Sequence, residues 1–374
     1  MQLYEVGGAV RDALLGLNAT DHDWVAVGAT PEALVALGYR PIGRDFPVFL
    51  HPQTGDEVAL ARTERKSAPG YHGFTFHAAP EVTLEQDLAR RDLTINAMAR
   101  AADGRLIDPF GGERDLRAGV LRHVSPAFVE DPVRLLRVAR LAARFHTFTL
   151  APETLALLQT MVAQGEVDAL VAERVWQELS RGLMEARPSR MLAVLHDTQA
   201  LPRLLPGVQA SAALCQRLDD CAQQGAPLAV RFACLVLGAA DASAIAERWR
   251  VPSECKELAA LLTRELTQLQ DAEGLDANGL LSLLERCDAL RRAPRFEDLL
   301  QAAQCLAPAS VDVQRLHAAL LAAQAVDTAS VAAQAVTQGA RGPAIGAAVF
   351  AARVKAIQAC AALTPPTPRA SSAQ

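Results

Sequence analysis

The apolar positions of the chain follow two regimes. Over residues 1–112 short apolar runs alternate with amphipathic stretches, and from about residue 113 alanine and leucine recur at helical spacing almost to the end. In the first regime "LYEV" (3–6) predicts a strand ended by Gly7-Gly8, and "AVRDALLG" (9–16) a helix stopped by Gly16. "DWVAVG" (23–28) predicts a second strand. "TPEALVALG" (30–38) predicts a short helix with Thr30 as N-cap, Pro31 at the first helical position and Gly38 as C-cap. "FPVFLH" (46–51) and "DEVALAR" (56–62) predict two strands around the turn "PQTG". Residues 64–80 read as a loop, 83–100 as one long helix capped by Thr83, and "DPFGG" (108–112) as a hinge. The expected architecture is an α/β head over 1–112, a helical neck over 113–200, a helical body over 201–361 and a Pro/Ser-rich disordered tail over 362–374. No fixed-period repeat is evident.

Composition narrows the possible partners. The net charge is −5, so a nucleic-acid partner must meet a local basic patch rather than bulk charge. Lysine occurs only at 66, 256 and 355, and arginine carries the rest of the positive charge. That bias fits phosphate recognition but fits a GC-rich genome better, since alanine is abundant too. All seven cysteines follow residue 210 and none forms a C-x-x-C pair, so buried reduced thiols are expected rather than zinc or disulfides. The N-terminal "MQLYEVGGAVRD" has no signal-peptide pattern, and Arg231 splits the longest apolar run. A cytoplasmic protein without a membrane partner is expected; a monomer and a dimer are both compatible with the chain.

The candidate chemistry begins at "DHDW" (21–24). Residues i and i+2 of a strand share a face, so Asp21 and Asp23 project together where an apolar strand begins. Two adjacent carboxylates repel unless a cation lies between them, and magnesium prefers such oxygen ligands together with substrate phosphates. A bare D-x-D is more often two solvated acids in a turn. Its context here is a strand, Gly7-Gly8 and a helix with Arg11 in its first turn, an arrangement that lets backbone N–H groups and a guanidinium approach a phosphate. Together these describe a nucleoside-triphosphate site with metal.

"VGGAVRDALLG…DHDW", "RRDLTINA" (90–97), "DPFGG", "EDPVRLLRVARLAARF" (130–145) and "ERVWQEL" (173–179) fall in the order that resembles the class II tRNA nucleotidyltransferases, the CCA-adding enzymes. The likeness is dense over residues 1–200 and fades beyond, to a weak similarity around "GARGPAIGAAVFAARV". It implies a head of the polymerase-β nucleotidyltransferase type. The implied activity is template-independent addition of C, C and A to tRNA 3′ ends from CTP and ATP, with pyrophosphate released by a two-metal mechanism. It implies that Asp21 and Asp23 are catalytic and hold Mg2+, with Glu57 a weaker third carboxylate. Gly8 and Arg11 would meet the nucleotide's phosphates. Arg91, with Asp92 and Asn96, would read the ribose.

The helix opened by Glu130-Asp131-Pro132 carries Arg137, Arg140 and Arg144 on one flank with Arg134 beside them, and Leu135, Val138, Ala139 and Ala142 opposite. The resemblance makes Asp131 and Arg134 the base-reading pair, and leaves Arg137 and Arg140 to phosphates or base stacking. Poly(A) polymerases and partial CC- or A-adding enzymes share this head, and a non-catalytic RNA-binding module is the alternative of another class. Many bacterial relatives carry an HD phosphohydrolase domain in the body. The corresponding segment here, 230–241, has no histidine, and after residue 150 only His196 and His317 remain. No phosphatase or phosphodiesterase activity is therefore expected, and His196-Asp197 reads as a surface pair. The body is left a tRNA-docking role.

Overall fold

The computed structural model describes residues 1–18, 22–42, 48–66, 74–307 and 310–360, apart from the side chains of 64–66 and 74–76. It forms two compact units, Met1–Pro206 and Gly207–Gln374. Among the described residues no single helix is long and apolar enough to cross a membrane. The expected tail over 362–374 lies outside the described residues.

The first unit opens with strand β1 (Gln2–Val6), helix α1 (Gly8–Leu14), β2 (Asp23–Val27) and α2 (Pro31–Ala36). Strands β3 (Arg40–Pro41), β4 (Val48–Leu50) and β5 (Glu57–Leu60) follow. With β8 (Ala99–Ala101) and β9 (Leu106–Ile107) they make a seven-stranded mixed sheet in the order β3-β4-β5-β2-β1-β8-β9. β1 and β2 run antiparallel with Val6 opposite Asp23, while β2 and β5 run parallel with Asp23 opposite Glu57. The alternation of β2 sends Val25 into one apolar cluster, with Val6, Leu88 and Ala99, and Ala26 into another, with Leu34, Phe49 and Val58. Leu34 is fully buried, worth about 1.5–3 kcal/mol. Thr30 caps α2 through its Oγ1, which accepts the Ala33 N–H.

Two secondary-structure expectations fail in this unit. Residues 64–80 are not a simple loop: β6 (Arg62–Lys66) and β7 (Phe74–Ala78) pair antiparallel, with 67–73 outside the described residues. The Phe-Thr-Phe run favours a pleated strand, and glycine and proline upstream hid that preference. The long helix over 83–100 is also broken. Only α3 (Leu84–Ala89) forms, opened by a capping box in which Thr83 and Gln86 satisfy each other's backbone N–H groups. Asp92 then turns its carboxylate onto the Leu93 N–H (2.7 Å), Leu93 is extended, and a 3-10 turn spans Thr94–Asn96. Residues 92–99 are buried on every side, which no single helix face could provide.

The stretch 108–112, expected as a hinge, is firmly tied. The Asp108 carboxylate accepts the N–H groups of Gly112 (2.7 Å) and Glu113 (2.9 Å) at the start of α4 (Gly112–Ala118). A Cβ on Gly112 would collide with the Thr94 carbonyl. Helix α5 (Val133–Arg144) buries Leu135, Val138, Ala139 and Ala142 as its pattern predicts, and packs against α7 (Ala172–Met184) and α8 (Pro188–Asp197). A 12-residue α6 (Pro152–Ala163) precedes them. At Gly182 a Cβ would meet Met191 Sδ, so glycine is what lets α7 and α8 approach each other.

The second unit is helical throughout its described residues. Its central helix, Leu228–Val236, buries Val230 through Val236. The seven cysteines are free thiols, and five of them are buried. Burial pushes the Cys255 and Cys287 thiols up to about 12. His196, in the first unit, pairs with Asp197 at 3.3 Å on an exposed surface.

Candidate active site

β1 delivers the chain to a tight turn. Gly7 sits at φ 76°, a backbone conformation glycine adopts freely, and its N–H donates to the Met98 carbonyl (3.3 Å). A Cβ there would come within 2.9 Å of Arg91 Nη1, so the absent side chain makes room for an arginine. α1 starts at Gly8, and Asp23 opens β2 beside it. All of this borders a cleft of 660 Å3 lined, among the described residues, by nine arginines and four aspartates. In a chain of net charge −5 the positive field is thus local, as a polyanionic partner requires. Gly8, Arg11, Asp23, Arg91, Asp131, Arg134, Arg137 and Arg140 all line it. Asp21 lies outside the described residues. Glu57 is absent from this cleft; it shares with Asp23, Arg62, Arg90 and Arg91 a recess of 200 Å3.

An alternating chain of charge crosses the cleft. Arg144 Nη2 donates to Asp12 Oδ2 (2.9 Å), and Arg11 Nε donates to Asp12 Oδ1 (2.9 Å). Arg11 Nη1 donates to Asn96 Oδ1 (2.6 Å), and Asn96 Nδ2 to Asp92 Oδ1 (3.0 Å). Arg137 Nε ends the chain 3.0 Å from Asp92 Oδ2. Arg11 is only 4% exposed and lies over the Phe145 ring. Its burial lowers the guanidinium pKa against the pull of Asp12. The Asp92 carboxyl is pushed up by burial and pulled further down by Arg137 and by the Asn96 and Leu93 N–H groups, so it ends below its ordinary value.

On Arg91 and Asp92, two buried atoms lack hydrogen bonds. Asp92 Oδ2 is buried without a hydrogen-bond partner, because Arg137 meets it as an ion pair rather than along an N–H direction. Arg91 Nε is likewise buried and unsatisfied. One is an acceptor and the other a donor, on adjacent residues of one cleft wall.

Asp87 stands behind that wall on α3, fully buried. Its Oδ1 accepts from Arg90 Nε (3.1 Å), Arg90 Nη2 (2.8 Å) and the Arg62 backbone N–H (3.3 Å), and its Oδ2 accepts from Arg91 Nη2 (3.3 Å). Burial pushes the carboxyl up, but the two arginines and the Arg62 N–H outweigh it and hold the pKa below the ordinary value.

The expected base-reading pair is held from elsewhere. Arg134 donates to the carbonyls of Ala127 (3.1 Å) and Arg90 (2.6 Å) and lies over Phe128. Asp131 is gripped by Arg174, Nη1 to Oδ1 at 3.0 Å and Nη2 to Oδ2 at 2.8 Å. Arg140, expected among phosphate or stacking groups, donates to Glu178 of α7 (2.6 Å).

The pattern described as "Poly A polymerase head domain" matches residues 3–122, and that described as "Probable RNA and SrmB- binding site of polymerase A" matches 147–211. The "Multifunctional CCA protein" of Leptothrix cholodnii is 52% identical over 402 aligned positions, covering 96% of this chain and 96% of that one. The chain belongs to the class II CCA-adding enzymes. The Thermotoga maritima CCA-adding enzyme complexed with tRNA has the same fold, with a TM-score of 0.69 at 22% identity over 95% of this chain and 87% of that one. A CCA-adding enzyme in complex with ATP gives 0.68 at 24% identity, over 95% and 86%.

In this CCA-adding family member four of the quoted motifs meet at one place. The glycine turn, the D-x-D strand, "RRDLTINA" and "EDPVRLLR" all contribute walls of the cleft, and "ERVWQEL" supplies the partners of Asp131 and Arg140. Sequence reasoning missed Asp87 and Arg174. Asp87 was findable, since it lies three and four residues before Arg90 and Arg91 on a predicted helix. Arg174 was not, because nothing local links it to an acid 43 residues earlier. The 402 aligned positions exceed the 374 residues of this chain, so the Leptothrix protein carries residues without a counterpart here.

Proposed function

We propose that this chain, working in the cytoplasm, adds C, C and A in turn to the 3′ end of tRNA from CTP and ATP, releasing pyrophosphate, in the cleft beside Asp23. The observation that carries this is convergence: residues from four separated motifs line one strongly basic cleft with an acidic rim. Asp21 and Asp23 are the proposed metal-holding, catalytic carboxylates. Asp23 and Glu57 sit in register on neighbouring strands and border one recess, a carboxylate donor set of the kind magnesium prefers. When bound there, Mg2+ would neutralise charge on the attacking 3′-oxygen and on the departing pyrophosphate.

The remaining roles belong to the chain itself. The Gly8 backbone, Arg11 and Arg137 face the triphosphate. Arg91 and Asp92, consecutive residues of the cleft wall with an unsatisfied donor (Nε) and an unsatisfied acceptor (Oδ2), are the proposed partners of a ribose 2′-hydroxyl, which both gives and takes a hydrogen bond. Asp131 accepts from the amino group, and Arg134 donates to the ring nitrogen, that cytosine and adenine present side by side. Uracil and guanine present the reverse order and would leave buried groups unpaired, at a cost of about 1–3 kcal/mol each.

Incubating tRNA that lacks CCA with magnesium and CTP, ATP or both, then sequencing the ends, tests the proposal. CC with CTP alone and CCA with both supports it. Long adenine tails would instead make the chain a poly(A) polymerase, and no extension a non-catalytic RNA-binding module.

We further infer that the body has no HD phosphohydrolase activity, although the Leptothrix relative is named multifunctional. The segment 230–241 has no histidine, and the chain is shorter than its alignment with that relative. Metal-dependent release of phosphate from 2′,3′-cyclic nucleotides by the pure protein would contradict this.

A further inference from the structure

We infer that Asp87 is a positioning residue for nucleotide choice: it aims Arg91 at the ribose and, through Arg90, fixes the arginine that faces the base. The inference rests on the proposed reading of Arg91 and Asp92 as the ribose-contacting pair.

Three observations carry it. Asp87 is completely buried, yet both its oxygens are occupied by groups that belong to the cleft wall: Arg90, Arg91 and the backbone of Arg62 at the start of β6. A carboxylate is costly to bury, and this one sits where four N–H directions converge rather than inside either apolar cluster. Next, the Arg90 carbonyl is the acceptor that holds Arg134 Nη2 at 2.6 Å. Arg90 thus stands between the two groups, held by Asp87 through its side chain and holding Arg134 through its carbonyl. Finally, Arg91 spends Nη2 on Asp87 and keeps a buried Nε without a hydrogen bond. Rotating the guanidinium about that anchor would redirect its remaining N–H groups in the cleft wall. Gly7 on the other side leaves the space that Arg91 Nη1 occupies, since a Cβ there would press on it.

A group that only stabilised the fold would change yield and melting temperature, not the preference for ribose over deoxyribose. The test compares kcat/KM for CTP and for 2′-deoxy-CTP on tRNA lacking CCA, using the full-length chain with magnesium. Asp87→Asn keeps the shape and removes the charge. It is expected to lower the CTP/deoxy-CTP ratio by about tenfold, as loss of a charged hydrogen bond does, with tRNA binding unchanged. Arg91→Ala should lower the ratio at least as far, and the double variant should fall no further than Arg91→Ala alone. If Asp87→Asn melts far below the native protein, Asp87→Glu takes its place. A carboxylate one methylene further out cannot hold the same fork, and the same drop in ratio is expected. A full ratio in the folded Asp87 variant beside a collapsed ratio in Arg91→Ala overturns the role of Asp87 and leaves the ribose reading standing. A full ratio in Arg91→Ala overturns the ribose reading, and the inference with it.

Discussion

Arg174 holds Asp131 by both terminal guanidinium nitrogens, at 3.0 and 2.8 Å, across 43 residues of chain. The acid also accepts the Val133 N–H at the start of α5 (3.2 Å). A carboxylate pinned at three points has one orientation, which the proposed reading of a base through its amino group demands. Truncating the arginine leaves Asp131 free to rotate. Both side chains are partly exposed, so the loss is modest: Arg174→Ala should cost about 1–2 kcal/mol, or roughly tenfold in kcat/KM for CTP, and raise UTP misincorporation. Arg174→Lys keeps the charge but not the fork and should behave like the alanine variant. Competition between CTP and UTP on tRNA lacking CCA measures this; unchanged selectivity in both variants would remove Arg174 from nucleotide choice.

Arg134→Ala should relax nucleotide choice further than Arg174→Ala does, with chemistry retained. The Arg134 guanidinium is anchored on the carbonyls of Ala127 and Arg90, so its removal also frees the Arg90 carbonyl. Single-turnover extension with each of the four nucleotides separates lost selectivity from lost rate.

Acid should destabilise the first unit through Asp87 and Asp92. Both carboxyls are held below the ordinary aspartate value of 3.8. The unfolded chain therefore takes up their protons first as pH falls. Their contribution is fully present above the ordinary value and is lost as pH drops through the depressed native values. Chemical denaturation at a series of pH values should show stability falling below about pH 4, and Asp87→Asn should flatten that fall.

Two glycines should resist any side chain. A Cβ at Gly112 would overlap the Thr94 carbonyl and press on Met98, and one at Gly182 would overlap Met191 Sδ. Backbone yields less readily than a methionine, so Gly112→Ala should cost more. Values of about 1–3 kcal/mol are expected for Gly182→Ala and the upper end or beyond for Gly112→Ala, read from urea midpoints.

Much of the fold was legible because its signals are local. The caps at Thr30 and Thr83, the strand beginning at Asp23 and the apolar stripe of α5 each depend on neighbours within a few residues. What failed depends on distant partners. Residues 92–99 leave the helix because the Thr94 N–H finds the Arg122 carbonyl, Thr94 Oγ1 finds Asp115, and Leu93 bridges His123. No propensity within 83–100 encodes those groups. The site shows the same division. Motifs named most of its cleft-lining residues, and Asp87 lay within local reach of Arg90 and Arg91, but Arg174, 43 residues from its acid, emerges only when the chain is folded.

The central claim is that the carboxylate rim of the arginine-lined cleft performs the transfer and does not merely bind RNA. Single-turnover extension of tRNA lacking CCA by Asp23→Asn, with CTP and magnesium, tests it most directly alongside tRNA affinity. Extension should fall roughly a thousandfold or more while affinity stays within about threefold of native. Extension within tenfold of native, or a parallel collapse of tRNA binding, would contradict it.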